Sequence, residues 1–427
     1  RFPDPLAAMH RAEAFAAQVT AGAQAEAAGP LAGVRVLDCS QAVSGPMACQ
    51  ILADQGADVV KVEPLEGDMT RSFAKGLHST FATVNRNKRS LSLDLKREEG
   101  VAVARRLLAG ADVVVCNFRP GAADRMGIGY EEVKRTNPEV VYVSISGFGP
   151  SGPYAKQRVY DPIVQAVSGL PSLQADETGR PRMMRLIIPD KVTALTAAQA
   201  ISAALVQKLR TGRGQHVQIA MIDAVLAFTW AEGMAAHTFV GAGNAEMQAA
   251  MKGGGYYTRD LIYDCLDGYI TCAVNTMKEW EGMCRALGHE EWREDPRFDT
   301  AAGLSANRTA RMDLIGEALR GFTCEQALAV LEANDVPAAP VNHPREKVLT
   351  DPQVVHNRTV VRSHHPTGGP MQQAAPAARF HAPFALRHHA PLIGEHNAEV
   401  LGEAGFTPEE VAGLRERGVV RRHPGLH

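Results

Sequence analysis

The sequence predicts a doubly wound α/β protein: a large domain built on a parallel sheet, followed by a smaller α+β domain. Three observations carry this. Strand-like and helix-like segments alternate from residue 34 to about residue 220, the pattern of βαβ units in a sheet covered on both faces. The chain has 427 residues and 45% hydrophobic content, enough for more than one core. Near residue 240 the pattern gives way to glycine-rich VGAGNAEMQAAMKGGGYY, which reads as a boundary and a mobile loop.

The elements follow in order. VRVLDCS (34–40) is a strand, GPMACQILADQGA (45–57) a helix, and DVVKVEP (58–64) and SLSLDL (90–95) are strands. EEGVAVARRLLAGA (98–111) is a helix, DVVVCNF (112–118) a strand, YEEVKRTNP (130–138) a helix and EVVYVSISGFG (139–149) a strand. A long helix of small and apolar residues opens near Asp190, TGRGQHVQIAM gives a turn and a strand, and DAVLAFTWAEGMAAHTF is a largely apolar helix. Beyond the boundary, GYITCAV is a strand, and TMKEWEGMCRALG, ANRTARMDLIGEALRGF and TCEQALAVLEANDV are helices. FTPEEVAGLRERGVV is a helix with a Thr-Pro-Glu-Glu start. The domains implied are a helical surface extension (1–29), a large domain (30–225), a linker with a small domain (226–345) and a C-terminal segment returning to the large domain (346–427).

A net charge of -2 gives no reason to expect nucleic acid or a membrane surface as partner. No apolar run approaches a membrane span, and the seven cysteines form no CxxC pair, which fits a reducing cytoplasm. No GxGxxG, GK[ST] or GxSxG is present, and the histidines at 356, 364, 365, 381, 388, 389 and 396 lack metal-ligand spacing, so neither metal nor nucleotide redox cofactor is expected. Surface histidines are the ordinary explanation. A phosphate-bearing ligand must therefore be held by side-chain cations at strand ends, with Lys88, Arg89, Lys96, Arg119 and Arg125 as candidates.

Two carboxylates remain, Asp161 in RVYDPIVQAVSGL and Asp190 in RLIIPDKVTALTAAQAISAAL. Each stands where a helix begins, and Asp is a preferred N-cap, so capping is the simplest reading of either. Two such helix starts could also converge on one cleft, where their positive ends favour developing anions.

Several long segments, in order, resemble the family III CoA-transferases: GPLAGVRVLDCSQAVSGPMACQILADQGADVVKVEP, NRNKRSLSLDLK, NFRPGAADRMGIGYEEV, NPEVVYVSISGFGPSGPY, YDPIVQAVSG, TGRGQHVQIAMIDAVL and APLIGEHNAEVLGEAGF. The resemblance implies a Rossmann-like large domain and an interlocked homodimer. It makes Asp190, at the family's spacing from Asp161, the covalent nucleophile in moving CoA from an acyl-CoA donor to a carboxylic acid acceptor. It further implies contacts to CoA or substrate from Val43, Ser44, Leu93, Lys96, Asn117, Phe118, Arg119, Arg125, Arg158, Tyr160 and Asp161, and a glycine loop at Gly253, Gly254 and Gly255. CoA enters as substrate, and no permanently bound cofactor is implied. The alternative on the same fold is an α-methylacyl-CoA racemase; those enzymes usually carry His where this chain has Tyr160, which argues against two-base proton transfer. Val43 and Pro64 stand where formyl-CoA transferase places Gln and Arg, which argues against oxalate or formate as the acid.

Overall fold

The computed structural model of the protein describes residues 29–72, 79–176, 178–240 and 260–425. The described residues up to Ala235, together with those from Val361 onward, form one compact unit, and those of Ala236–Val360 form a second.

In the large unit, six strands pair in parallel: β1 (Arg35–Asp38), β2 (Asp58–Glu63), β3 (Lys88–Ser92), β4 (Val113–Cys116), β5 (Val141–Ser146) and β6 (Gln215–Ala220). Their order is β3-β2-β1-β4-β5-β6. The direction of winding reverses between β1 and β4, and in open α/β sheets the crevice at that reversal, beyond the carboxyl ends of the strands, is where ligands sit. Val36, Val59, Val113, Val115, Val141 and Val143 face one way and pack on helices α1 (Ser44–Asp54) and α7 (Ile188–Thr211). Ala194, Ala197, Ala198 and Ala204 let α7 lie close to the sheet and to α1, as small side chains must at a close contact. At 24 residues and a hydropathy of 1.2, α7 is long and apolar enough for a membrane span, contrary to the sequence expectation. Its buried side chains, Val192, Ala197, Ile201 and Leu205 among them, pack in the α/β core, while Leu195, Val206 and Leu209 are exposed.

The opposite face, with Leu37, Val60, Leu91, Val114 and Tyr142, is covered by α3 (Glu98–Leu108) and by two helices from the far end of the chain, α14 (Asn397–Glu403) and α15 (Pro408–Glu416). Thr407 starts α15 with a capping box to Glu410. Shorter helices α2 (Ser79–Val84), α4 (Ala122–Arg125), α5 (Tyr130–Thr136) and α6 (Asp161–Val167) fill connections, and α8 (Met221–Gly233) follows β6. The second unit carries an antiparallel sheet of β7 (Tyr263–Cys265), β8 (Gly268–Cys272) and β9 (Ala338–Pro340). Its helices α9 (Met277–Leu287), α11 (Arg308–Leu319) and α12 (Cys324–Glu332) bury Trp280, Met283, Leu319 and Leu331, with α10 (Ala301–Ala306) and α13 (Pro352–His356) beside them in sequence. β10 (Val360–His365) and β11 (Gly369–Ala374) form a hairpin. β7, β9 and this hairpin are too short or too polar to stand out by period.

Two expected phosphate cations are structural. β3 begins at Lys88, so Lys88 and Arg89 lie at its amino end, away from the ligand side. Lys88 is fully buried and its Nζ donates to Asp38 Oδ2 at 2.8 Å, Asn85 Oδ1 at 2.8 Å and the Pro46 carbonyl at 2.7 Å. Arg89 is held by Asp58, Glu399 and Glu403, each at 2.7 Å. Lys61, also fully buried, meets Asp68 at 3.0 Å and Asp38 at 3.9 Å and donates to the Ser40 carbonyl at 2.9 Å. Two lysines thus balance two aspartates below the turn that follows β1. The lysines hold the Asp38 carboxyl down at about 2 against the upward push of burial.

Breaking such a set leaves a buried charge without its partner, which costs about 3–5 kcal/mol. Lys88→Met should therefore lose several kcal/mol in urea unfolding. A loss below ~1 kcal/mol would contradict the assignment of Lys88 as the main counter-charge of Asp38.

Candidate active site

Between β1 and α1, residues 40–42 are pinned by side chains from separate strands or the loops that follow them. The Ser40 N–H and hydroxyl both donate to Asp38 Oδ1, the N–H at 3.0 Å. The Gln41 N–H donates to Asn117 Oδ1 at 2.9 Å while Asn117 Nδ2 donates to the Gln41 carbonyl at 2.7 Å. The Ala42 N–H donates to Asp68 Oδ1 at 3.3 Å. Ala42 sits at φ +66, a left-handed conformation that costs a non-glycine residue on the order of 1 kcal/mol and persists where its surroundings impose it. At Gly45 a Cβ would lie 2.2 Å from Ser40 Oγ, so only glycine permits that approach.

Helix α1 starts at Ser44 with no side-chain cap of its own. Ser44 and Asp190 line the same cleft, where the Ser44 N–H and hydroxyl favour the ionised form of the Asp190 carboxyl. Asp190 is not the N-cap the local sequence suggested. That position belongs to Ile187, which has no capping side chain, and Asp190 is the third residue of α7. The reason is Pro189, which fits the first turn of a helix and draws its start upstream. The Asp190 N–H is instead accepted by Asp161 Oδ2 at 3.2 Å. Asp161, the first residue of α6, so serves the neighbouring helix.

Asp161 is 4% exposed and accepts at Oδ1 from Gln165 Nε2 at 2.7 Å. Gln165 is a site residue that sequence reasoning missed. Its amide also takes the Met184 N–H at 3.1 Å and donates to the Leu186 carbonyl at 3.0 Å, fixing the segment that leads into α7. The Asp-to-Gln spacing of one helical turn was the available signal. Burial raises the Asp190 carboxyl to about 6, the Asp161 charge adds to this, and the Ser44 hydrogen bonds oppose it. Burial also raises Asp161, against the pull of Gln165, the Asp190 N–H and Lys191. At neutral pH Asp190 is largely ionised, yet weakly solvated.

These groups open into a cleft of about 360 Å³ at the sheet's reversal point. Of the residues named from sequence, Ser44, Asn117, Phe118, Arg119, Arg158, Tyr160, Asp161 and Asp190 line it. Arg119, Arg158 and Tyr160 are exposed at its walls. Val43 is buried in the turn beside it, Leu93 has its side chain in the core, and Lys96 and Arg125 are exposed and do not line the cleft. Gly253, Gly254 and Gly255 lie outside the described residues. Among the described residues no group of three His, Cys, Asp or Glu side chains could hold a metal ion.

Residues 31–397 match the model of CoA-transferase family III. The protein is a family III CoA-transferase. Human succinyl-CoA:glutarate CoA-transferase is 32% identical over 82% of this chain and 80% of its own length. The formyl-CoA:oxalate CoA-transferase of Streptomyces avermitilis is 34% identical over 91% of this chain and 99% of its own. Among solved structures, a CAIB/BAIF family protein from Brucella suis superposes with a TM-score of 0.72 at 31% identity, covering 88% of this chain and 100% of that one. The CoA-transferase accordingly moves CoA between acyl-CoA thioesters and carboxylic acids, and the racemase alternative is not favoured.

The electrostatics of this CoA-transferase have a direct thermodynamic consequence. The folded-state value of Asp190 lies above the 3.8 of an unperturbed aspartate, so proton uptake stabilises the fold as pH falls from above 6 toward 4. Above pH 6 the native state bears an ionised carboxylate it disfavours, by at most about 3 kcal/mol for that difference. Asp190→Asn removes the penalty. Its Tm should equal or exceed wild type at pH 8, with the gap closing on acidification through pH 6 to 4; a variant clearly less stable at pH 8 would contradict this account.

Proposed function

We propose that Asp190 is the covalent carrier of the transfer. The observation behind this reading is the convergence of Ser44, Asp161 and Asp190 in one cleft, where burial raises the Asp190 carboxyl yet leaves it ionised at neutral pH. An Asp190 oxygen attacks the thioester carbonyl carbon; the C–S bond breaks, CoA leaves as thiolate, and a mixed anhydride forms. The thiolate then attacks the Asp190 side-chain carbonyl, giving an enzyme thioester and releasing the first acid as carboxylate. The acceptor carboxylate attacks this thioester, forming a new anhydride and thiolate. Attack of that thiolate on the acceptor's acyl carbon yields the new acyl-CoA and restores Asp190. No proton is consumed, and no ATP is needed because anhydride and thioester are both activated. The Ser44 N–H and hydroxyl are placed to stabilise negative charge on the Asp190 oxygens as they become tetrahedral centres. Asp161 holds the start of α7 through the Asp190 N–H. In this reading CoA lies along the cleft with its phosphates toward the exposed Arg119 and Arg158, and Phe118 and Tyr160 flank the thioester arm.

Succinyl-CoA with glutarate is the first donor and acceptor pair to test, because relatives about one-third identical carry those names. A panel of acyl-CoA donors and acids read by mass spectrometry identifies the pair. Asp190→Asn should retain CoA binding and lose turnover by several orders of magnitude. Wild type given acyl-CoA and then hydroxylamine should gain a hydroxamate on the peptide bearing Asp190. Retention of more than about a tenth of wild-type turnover, only ~1.4 kcal/mol in barrier, assigns Asp190 a structural role and moves the search to Asp161.

A homodimer belongs to the same reading. Ile163 and Val167 on α6, Leu195, Val206 and Leu209 on α7, and Phe228 and Trp230 on α8 are each at least 44% exposed, an apolar surface suited to a second copy of the chain. The seven cysteines are free, which fits a cytoplasmic location. An interlocked pair should bury well over ~2,000 Å², and light scattering should give twice the chain mass at micromolar concentration; a stable, active monomer refutes it.

A further inference from the structure

We propose that Asp68, backed by the buried Lys61–Asp38–Lys88 chain, is a positioning residue for the transfer: it fixes the turn between β1 and α1 so that Ser44 meets the Asp190 carboxylate. This rests on Asp190 being the nucleophile.

Asp68 is 2% exposed and follows β2, not the strand that leads into the turn. Its Oδ1 accepts from the Ala42 N–H at 3.3 Å, the Thr70 N–H at 2.9 Å and the Thr70 hydroxyl at 2.8 Å. Oδ2 faces Lys61 at 3.0 Å, and Lys61 in turn holds the Ser40 carbonyl. The turn is therefore gripped at two points by one ion pair. Lys88 holds its far end at the Pro46 carbonyl, in the first turn of α1. Ala42, two residues before Ser44, is the strained residue of the turn, and a strained backbone relaxes when its restraint is released. Relaxation at Ala42 rotates the start of α1, and with it Ser44, which lines the cleft with Asp190 and favours its ionised form.

The groups facing Asp190 are few. Asp161 comes from α6, Ser44 from α1, and Lys191 on α7 acts on Asp161. Arg119, Arg158 and Tyr160 line the same cleft. Asp68 does not line it. Any effect of Asp68 on the reaction thus passes through the turn or through the field of its charge, and two substitutions separate these.

Asp68→Glu keeps the charge facing Lys61 but displaces the acceptor from Ala42 by one methylene. Asp68→Asn removes the charge but keeps an acceptor oxygen for Ala42 and Thr70. Both are assayed by the pH dependence of kcat/KM and by hydroxamate formation at Asp190 from acyl-CoA, with rates normalised to trapped active sites. A poorly folded fraction then scales the amplitude and leaves the profile in place. The expected result is an acid limb displaced upward by about one pH unit in Asp68→Glu, the scale of one hydrogen bond to an ionised carboxylate, with little displacement in Asp68→Asn. The inference is overturned if neither variant moves the limb, or if Asp68→Asn alone moves it downward, the signature of a field effect. Absence of hydroxamate on wild-type Asp190 counts against the nucleophile assignment instead, so the two failures are distinguishable.

Discussion

The active site depends on a balanced charge set beneath one turn: Asp38 and Asp68 against Lys61 and Lys88, all but invisible to solvent. Ion pairs of this kind are poor sources of stability, since desolvation offsets most of their attraction. What they supply here is position. Their donors and acceptors reach the carbonyls of Ser40 and Pro46 and the N–H groups of Ser40 and Ala42, so the backbone between β1 and α1 has almost no freedom left. A turn held only by its own sequence would sample several conformations, and a nucleophile aligned by it would be aligned only part of the time.

Above that turn, the carboxylates exploit helix starts in a relay. Asp161 begins α6 but satisfies an orphan N–H of α7, and Asp190 sits within α7 and shares its cleft with Ser44, the first residue of α1. Each helix lends its positive end to the negative group of a neighbour. The Asp190 pKa expresses the competition: burial and Asp161 push it up, Ser44 pulls it down, and the outcome near 6 leaves an anion at neutral pH that is less stabilised than one in water.

Much of this fold could be read from the chain because parallel strands buried on both faces are continuous apolar runs, as in Val113–Cys116, and the helices between them carry clear periodicity. The C-terminal helix was legible from Thr407, Pro408 and Glu410, a start signal complete within four residues. Edge and hairpin strands such as Gly369–Ala374 were not, because half of their residues meet water and their pairing partners are set by turns. At the site, the importance of Asp161 and Asp190 came from their place at helix starts and from the family resemblance. Their division of labour did not, because which carboxylate faces which N–H is a matter of three dimensions. For the same reason Lys88 and Arg89 looked like ligand cations. Sequence shows a positive charge near a strand, and only the fold shows the aspartate or glutamates already facing it.

The C-terminal helices have a consequence for synthesis. Val400, Leu401 and Leu414 complete the apolar layer over Leu37, Val60 and Leu91, and Asn397 Oδ1 accepts the Ser92 N–H at 2.9 Å. Arg89 likewise needs Glu399 and Glu403. On the ribosome, all residues of the second unit, Ala236–Val360, emerge before these partners exist. The nascent sheet therefore travels for a long stretch of translation with one face covered only by its own early helices and an arginine lacking two of its carboxylates. The large unit closes only when its last helices are released, so a chain stalled or cleaved between the second unit and α14 presents a finished small unit beside an unfinished enzyme, the kind of exposed apolar surface that chaperones bind and proteases clear.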